Sequence, residues 1–151
     1  MSSDAQSFCR KIDVVTVKGS AIAMPIYTYD TLQNQTFPQL KTPKFTNLSL
    51  REVLNTQAHN YDPTTWENDG DLAQLRVLST PKFIEVFQSG VEFYLSGNWG
   101  SARRKLEEAD DLMKDSDVGG DGPSRTLLNY MRARDWICPP DWRGYRPLTS
   151  K

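Results

Sequence analysis

The feature that most constrains this chain is a periodic run of apolar residues that begins after Pro81 and stops at Gly97. The i, i+4, i+8 and i+11 spacing predicts one apolar face of a helix. That face carries Phe83, Ile84, Phe87, Val91, Tyr94 and Leu95. Pro81 suits a first helical turn, because its missing N–H would have no partner there. Gly97 is typical of a helix end, and Asn98 of the cap that starts another helix.

A second amphipathic helix follows at once, so the short link predicts an antiparallel helical hairpin. Its apolar face carries Trp99, Ala102, Leu106, Ala109, Leu112 and Met113. The residues Tyr94, Gly97, Trp99, Ala102 and Ala109 are similar in spacing to a single tetratricopeptide unit. One such unit cannot bury its own face, so we expect a repeat-like hairpin and not an array.

The sequence after this hairpin predicts a third helix and a docking tail. The run from Asp121 to Ser124 is typical of a turn that opens a helix, with Pro123 near its first position. The tail is rich in Pro and carries Trp142 and Tyr145. Aromatic residues in an extended Pro-rich segment favour docking on a protein surface. We therefore take Trp142 and Tyr145, together with Trp99, as candidates for partner docking.

The N-terminal segment predicts a β-hairpin. Residues 11–18 are rich in β-branched side chains, and residues 26–29 form a second short strand candidate after Pro25. The stretch 31–80 has little periodicity, with short helix candidates at 49–54 and 69–78. The expected fold is α+β with three parts: 1–30 as a terminal hairpin, 31–80 as an extended connector, and 81–151 as a helical unit with a docking tail.

Composition excludes several classes of function. The formal net charge is -1, which argues against nucleic-acid binding and attraction to anionic lipid. The apolar runs are too short to cross a bilayer, so we expect no direct membrane insertion. Residues 1–11 contain no apolar core of a signal peptide. Two cysteines, Cys9 and Cys138, far apart in sequence, are consistent with a reducing, cytoplasmic setting.

Motifs that could carry chemistry are weak. The run Gly119 to Ser124 lacks the Gly-Lys-Ser/Thr ending of a Walker loop, so we interpret it as a turn and helix cap. The acidic cluster between Asp110 and Asp121 lacks the ligand order of a calcium loop, and we interpret it as a solvated face. The single histidine, His59, has no nucleophile in a recognisable motif. Lys18 is different, because it ends a strand beside Gly19, where an ammonium and a turn could both approach a phosphate.

The hairpin and the tail together resemble class III adenylate/guanylate cyclases. Residues 10–20, which contain Val17-Lys18-Gly19, followed by 25–30, resemble the last β-hairpin of the cyclase catalytic domain. The C-terminal half resembles the tail that follows many of these domains. The residues that carry this second resemblance are Phe87, Gly90, Tyr94, Gly97, Trp99, Ala102, Leu106, Asp121 to Ser124, and Pro139 to Gly144. The stretch from Trp66 to Leu75 is most similar to protist members.

The resemblance implies that the catalytic machinery lies upstream of the hairpin. The family's catalytic core is a ferredoxin-like α/β domain that works as a dimer, with two metal-binding aspartates and an Asn/Arg pair at the dimer interface. None of these has a counterpart in this chain, so we expect no catalytic residue, no metal site and no cofactor here; Mg or Mn would belong only to a full-length parent. In such a parent, Lys18 would contact the substrate phosphates.

Three interpretations of function remain open from the sequence. The chain is a cyclase-derived C-terminal region that acts by packing on a protein partner or on the remainder of a cyclase. Alternatively, it is a fragment of a working cyclase in cyclic nucleotide signalling, or a structural subunit of a large assembly. Its expected location is cytoplasmic, or at a membrane, organelle or ciliary assembly through a partner.

Overall fold

The computed structural model describes residues 9–30, 68–114 and 119–148, without the side chains of residues 71, 74 and 75. The chain divides into two compact units, one made of residues 1–30 with 77–151 and the other of residues 31–76. In the second unit, the described element is a short helix, α1 (Gly70–Leu75). The carboxylate of Asp69 accepts a hydrogen bond from the Leu72 amide (3.0 Å), which satisfies one donor at the start of α1.

The sheet of the first unit combines the two ends of the described sequence. Strands β1 (Arg10–Val17) and β2 (Met24–Thr28) form an antiparallel hairpin, with a register shift around Ile12. Strand β3 (Arg146–Leu148) comes from the tail and pairs in parallel with β1, so the strand order is β2-β1-β3. Both edges of β1 are therefore occupied by segments of its own chain.

Three helices form the other layer, and local sequence sets their ends. They are α2 (Pro81–Leu95), α3 (Trp99–Leu112) and α4 (Gly122–Arg132). Each begins at a side-chain cap: Thr80 accepts from Phe83 N, Asn98 from Ser101 N and Asp121 from Ser124 N. Gly97 has φ +85°, a left-handed conformation that glycine adopts without steric cost, and it ends α2 as predicted.

The hydrophobic core lies among these helices. Its buried members are Phe83, Val86, Phe87, Val91, Tyr94, Trp99, Ala102, Leu106, Ala109, Leu127, Leu128 and Met131. A Cβ atom at Gly90 would lie 2.9 Å from the side chain of Leu106, so the glycine allows α2 and α3 to approach closely. Ile12 of β1 packs against the same core.

The structure confirms the predicted α+β mixture of a small sheet and helices. It does not confirm the repeat-like character of the helical hairpin. The helix expected at 69–78 is shorter, because α1 ends at Leu75, and the candidate at 49–54 lies outside the described residues. The predicted boundaries separate 1–30 from 81–151, whereas the compact unit contains both.

Candidate functional site

Lys18 lies at the exposed end of the hairpin, in the turn that follows β1. The turn is closed by a hydrogen bond from Ser20 N to Val17 O (3.0 Å), and Gly19 adopts φ +87°. The Lys18 ammonium is therefore presented to solvent beside a glycine turn, the arrangement that the sequence predicts. Whether this lysine meets a phosphate in a longer protein stays a prediction.

Four exposed apolar side chains surround this turn, and we call them the apolar sheet end: Val17, Ile22, Met24 and Leu148. Their exposed fractions are 39%, 73%, 42% and 42%. Val17 pairs with Leu148, and Met24 pairs with Val15, so Val17, Met24 and Leu148 share one face of the sheet. The same face buries Val15, which is 1% exposed. On this face, a buried valine is thus followed by exposed apolar side chains toward the end of the sheet.

A buried ion cluster fastens the hairpin to the helices. The guanidinium of Arg10 donates to both oxygens of Asp121 (3.1 and 2.8 Å) and to both oxygens of Asp30 (2.9 and 2.6 Å). It also lies over the rings of Phe87 and Phe83, 4.0 and 4.7 Å from their centroids. Burial alone would lower the pKa of Arg10, but the hydrogen bonds and charges of Asp121 and Asp30 outweigh it and raise that pKa.

A second buried ion pair fastens the tail to the hairpin. Arg146 donates a hydrogen bond from Nε to one carboxylate oxygen of Asp13 (2.9 Å). Its Nη2 lies 2.8 Å from the same oxygen. Asp13 is 3% exposed and also accepts a hydrogen bond from the Val14 amide. Burial raises the pKa of Asp13, and the hydrogen bond and charge of Arg146 offset only part of that effect. The carboxylate therefore depends on its arginine to remain ionised inside the fold.

The aromatic residues predicted to dock on a partner meet different surroundings. Trp99 is 2% exposed, and its indole N–H donates to Tyr94 O (3.2 Å), so the chain's own core covers it. Trp142 is half-buried, and its indole N–H donates to Leu95 O (3.0 Å). Tyr145 is also half-buried. The surface on which Trp142 docks thus belongs to this same chain, and docking of a partner on these residues stays a prediction.

The core around these tryptophans contains a buried hydroxyl group, that of Tyr94, without a hydrogen-bond partner among the described residues. Tyr94 is fully buried, and within the described ranges its hydroxyl has no hydrogen-bond partner. Burial raises the pKa of Tyr94 well above its ordinary value, and the nearby charge of Asp13 adds to the shift. The phenol therefore stays neutral at physiological pH.

The acidic cluster forms structural contacts around the start of α4. Asp110 is 8% exposed; one of its oxygens accepts from Asp121 N (2.8 Å) and lies 2.8 Å from Arg125 Nε. Beside it lies a polar cavity of about 460 Å³. Its lining residues are Glu107, Asp110, Asp111, Lys114, Arg125, Leu128, Asn129 and Arg132. Arg125 therefore pairs with this cluster, whereas Arg146 pairs with Asp13.

Metal-binding side chains do not converge in residues 9–30, 68–114 and 119–148. Within those ranges, no group of three or more His, Cys, Asp or Glu residues could hold a metal ion. The same ranges contain no helix that is both long and apolar enough to cross a membrane. The chain matches no protein-family model, no curated protein and no solved structure at a significant level.

Sequence reasoning missed both buried ion pairs. Arg10 and Asp121 are 111 residues apart, and Asp13 and Arg146 are 133 residues apart. The sequence does contain one indication of such a pair, a charged residue within a strand rich in β-branched residues. Burying that charge without a partner is costly. Asp13 is that residue, because it stands between Ile12 and Val14. The sequence around Asp13 does not indicate which arginine pairs with it.

Proposed function

We propose that the compact unit of residues 1–30 and 77–151 is a non-catalytic packing module of class III cyclase type. Its helices and tail hold a cyclase-like hairpin in a fixed position against a cyclase catalytic domain. That domain is either the upstream part of a longer polypeptide or a separate partner protein. The observation that carries this proposal is the apolar sheet end, which leaves Val17, Ile22, Met24 and Leu148 exposed beside Lys18.

The contacts inside the unit support a role in holding the hairpin. An isolated two-stranded hairpin is marginally stable in water, so a hairpin that presents a fixed surface needs support. The Arg10–Asp121 pair joins β1 to the start of α4, and β3 adds a third strand to β1. The hairpin and the tail, which both resemble cyclase segments, are therefore parts of one folded unit.

The position of Lys18 supports a cyclase partner over an unrelated one. Its ammonium stands at the end of the sheet where the apolar side chains are exposed, so a surface that covers them would also meet the lysine. In the resemblance stated above, the residue at this place in the hairpin contacts substrate phosphates. The module would then contribute one positively charged group to a site whose remaining residues lie on the covering domain.

The first test is the intact mass and the N-terminal sequence of the native polypeptide. A polypeptide that continues upstream into a catalytic domain with two metal-binding aspartates supports the module acting in cis. In that protein, Lys18→Ala is expected to lower cyclase turnover or nucleotide binding. Lys82→Ala, which removes an exposed lysine from the first turn of α2, is the matched control and is expected to change neither.

If the native polypeptide has the calculated mass of 17.2 kDa, the partner is a separate protein. Binding to a purified class III catalytic domain is then measured by calorimetry with the wild-type chain and with Ile22→Asp. A charge at this 73% exposed position is expected to weaken binding without unfolding the chain. Binding that is absent for the wild type, or unaffected by the substitution, would overturn the proposal. So would cyclic nucleotide made from ATP or GTP by this chain alone.

A further inference from the structure

The C-terminal tail is held in the way that a bound peptide is held by a recognition domain. Trp142 is its aromatic anchor, with ring centroids 5.2 Å from Tyr94 and 5.4 Å from Trp99 in edge-to-face geometry. The Trp142 indole N–H donates to the carbonyl of Leu95, near the C-terminal end of α2. Gly144 follows with φ +77°, where a Cβ atom would lie 3.1 Å from the same carbonyl oxygen.

The end of the tail adds an ion pair and backbone pairing. Arg146 reaches the 3% exposed carboxylate of Asp13. From there, β3 runs parallel to β1 for three residue pairs, from Val15–Arg146 to Val17–Leu148. Addition of a strand to a sheet edge, with side-chain anchors for specificity, is a common mode of peptide recognition. We call the surface formed by Asp13, Tyr94, Leu95, Trp99 and the edge of β1 that pairs with β3 the tail groove.

The link between α4 and the tail contains two residues in a strained backbone conformation. Asp135 and Trp136 have φ values of 52° and 64°, and neither is a glycine. Side chains other than glycine adopt this left-handed region at a cost, so two in succession store strain in the link. The link is held by hydrogen bonds from its amides to carbonyls of α4, and by Arg103 stacked 4.2 Å above the Trp136 ring. Opening of the link would relieve the strain.

We propose that residues 138–148 are a detachable internal ligand, and that the tail groove is a recognition site for a partner protein. The ligand is an extended segment that carries a tryptophan and, four residues later, an arginine, and that runs parallel to β1. The arginine is required because displacement of the tail would otherwise leave the buried Asp13 carboxylate without a cation. The tail shares Leu148 with the apolar sheet end, where it pairs with Val17, whereas its anchors Trp142 and Arg146 lie outside that surface. The experiments below use only those anchors, so they test this inference separately from the proposed function.

Hydrogen exchange of two indole groups in the full-length wild-type chain tests whether the tail leaves the groove. Trp142 Nε1–H reports on the tail, and Trp99 Nε1–H, which is bonded to Tyr94 O, reports on the core in the same NMR sample. The Trp142 proton is expected to exchange at least ~10-fold faster and with little dependence on denaturant. Equal rates with equal denaturant dependence would mean that the tail opens only when the whole unit unfolds, which would overturn the proposal.

Peptide binding tests the recognition itself. The probe is a fluorescein-labelled peptide of residues 138–148 with Cys138→Ser, and the control peptide also carries Arg146→Ala. The protein's own tail competes at an effective concentration on the order of mM. Replacing Arg146 by Ala in the full-length chain weakens that competitor and leaves the groove intact. The variant is therefore expected to bind the probe at least ~10-fold tighter than the wild type does, and the control peptide is expected to bind neither chain.

Two results of the peptide experiment would contradict the proposal. One is the absence of probe binding to both chains, because the groove would then accept only a covalently attached tail. The other is concentration-dependent dimerisation of the wild-type chain, with tails exchanged between isotopically distinct copies. That result would assign the groove to a second copy of this chain and not to a partner protein.

Discussion

Replacement of Arg10 by Met would remove a buried cation that is hydrogen-bonded to two carboxylates, those of Asp121 and Asp30. The guanidinium makes two contacts of 3.1 and 2.8 Å to Asp121 and two of 2.9 and 2.6 Å to Asp30. The exposed fraction of the side chain is 2% for Arg10 and 3% for Asp121. The methionine keeps the length of the stem and its contact with Phe83 and Phe87, but it leaves the carboxylates without their cation.

The expected loss follows from the burial of Asp121. Removing one partner of a buried ion pair costs about 3–5 kcal/mol, because the other charge stays behind in a poorly solvated place. Loss of the cation–π contact adds about 1 kcal/mol. Asp121 keeps the hydrogen bonds from the amide and hydroxyl of Ser124, which limit the penalty. We therefore expect a decrease of about 4 kcal/mol in the free energy of unfolding, out of a total of about 5–15 kcal/mol for a domain.

Urea unfolding followed by tryptophan fluorescence measures this decrease. Arg104→Met is the matched control, because Arg104 is exposed and donates to the Ser101 hydroxyl one turn away on α3. A change within about 0.5 kcal/mol is expected. The double variant Arg10→Met with Asp121→Asn keeps a helix cap and removes the stranded charge, so it should be more stable than Arg10→Met alone. A loss below about 1 kcal/mol for Arg10→Met, or no recovery in the double variant, would refute the reasoning.

Three further predictions concern packing, an unpaired hydroxyl and pH. Gly90→Ala should lower the free energy of unfolding by about 1–2 kcal/mol, because the added Cβ would press on Leu106. Gly100→Ala, in open space on α3, should raise the free energy of unfolding by up to about 1 kcal/mol. Equal effects of the two substitutions in urea unfolding would contradict this reasoning. Tyr94→Phe should raise the free energy of unfolding by about 1 kcal/mol, because it removes a buried hydroxyl that lacks a hydrogen-bond partner within the described ranges. A clear decrease in the free energy of unfolding would show that the hydroxyl is hydrogen-bonded. The pKa of Asp13 is raised in the native state. Between the ordinary Asp pKa of about 3.9 and the raised native pKa, the native state therefore binds more protons than the unfolded state. The contribution of Asp13 to the free energy of unfolding falls as pH rises through that range. Asp13→Asn should therefore lose less stability than the wild type does as pH rises above about 4. A difference in stability between the two proteins that does not change with pH would contradict the raised pKa of Asp13.

Much of the local structure was predictable because it depends on neighbours in sequence. The cap at Asn98, the helix end at Gly97 and the proline in the first turn of α2 were all inferred from residue type and position and are confirmed. These features involve groups no more than about four residues apart, so the sequence holds both partners of each contact in one short window. The antiparallel helix pair follows from the same local information.

The sequence by itself determined where α2 begins and ends, where α3 and α4 begin, and which of their faces are apolar. Only the tertiary structure decided that the tail supplies β3 to the hairpin, that Arg10 reaches Asp121, and that Arg146 covers Asp13. The physical reason is that a buried charge or a strand edge requires some partner, yet its own sequence does not specify which one. That choice is made when segments more than 100 residues apart are brought together by burial of the apolar faces of α2, α3 and α4.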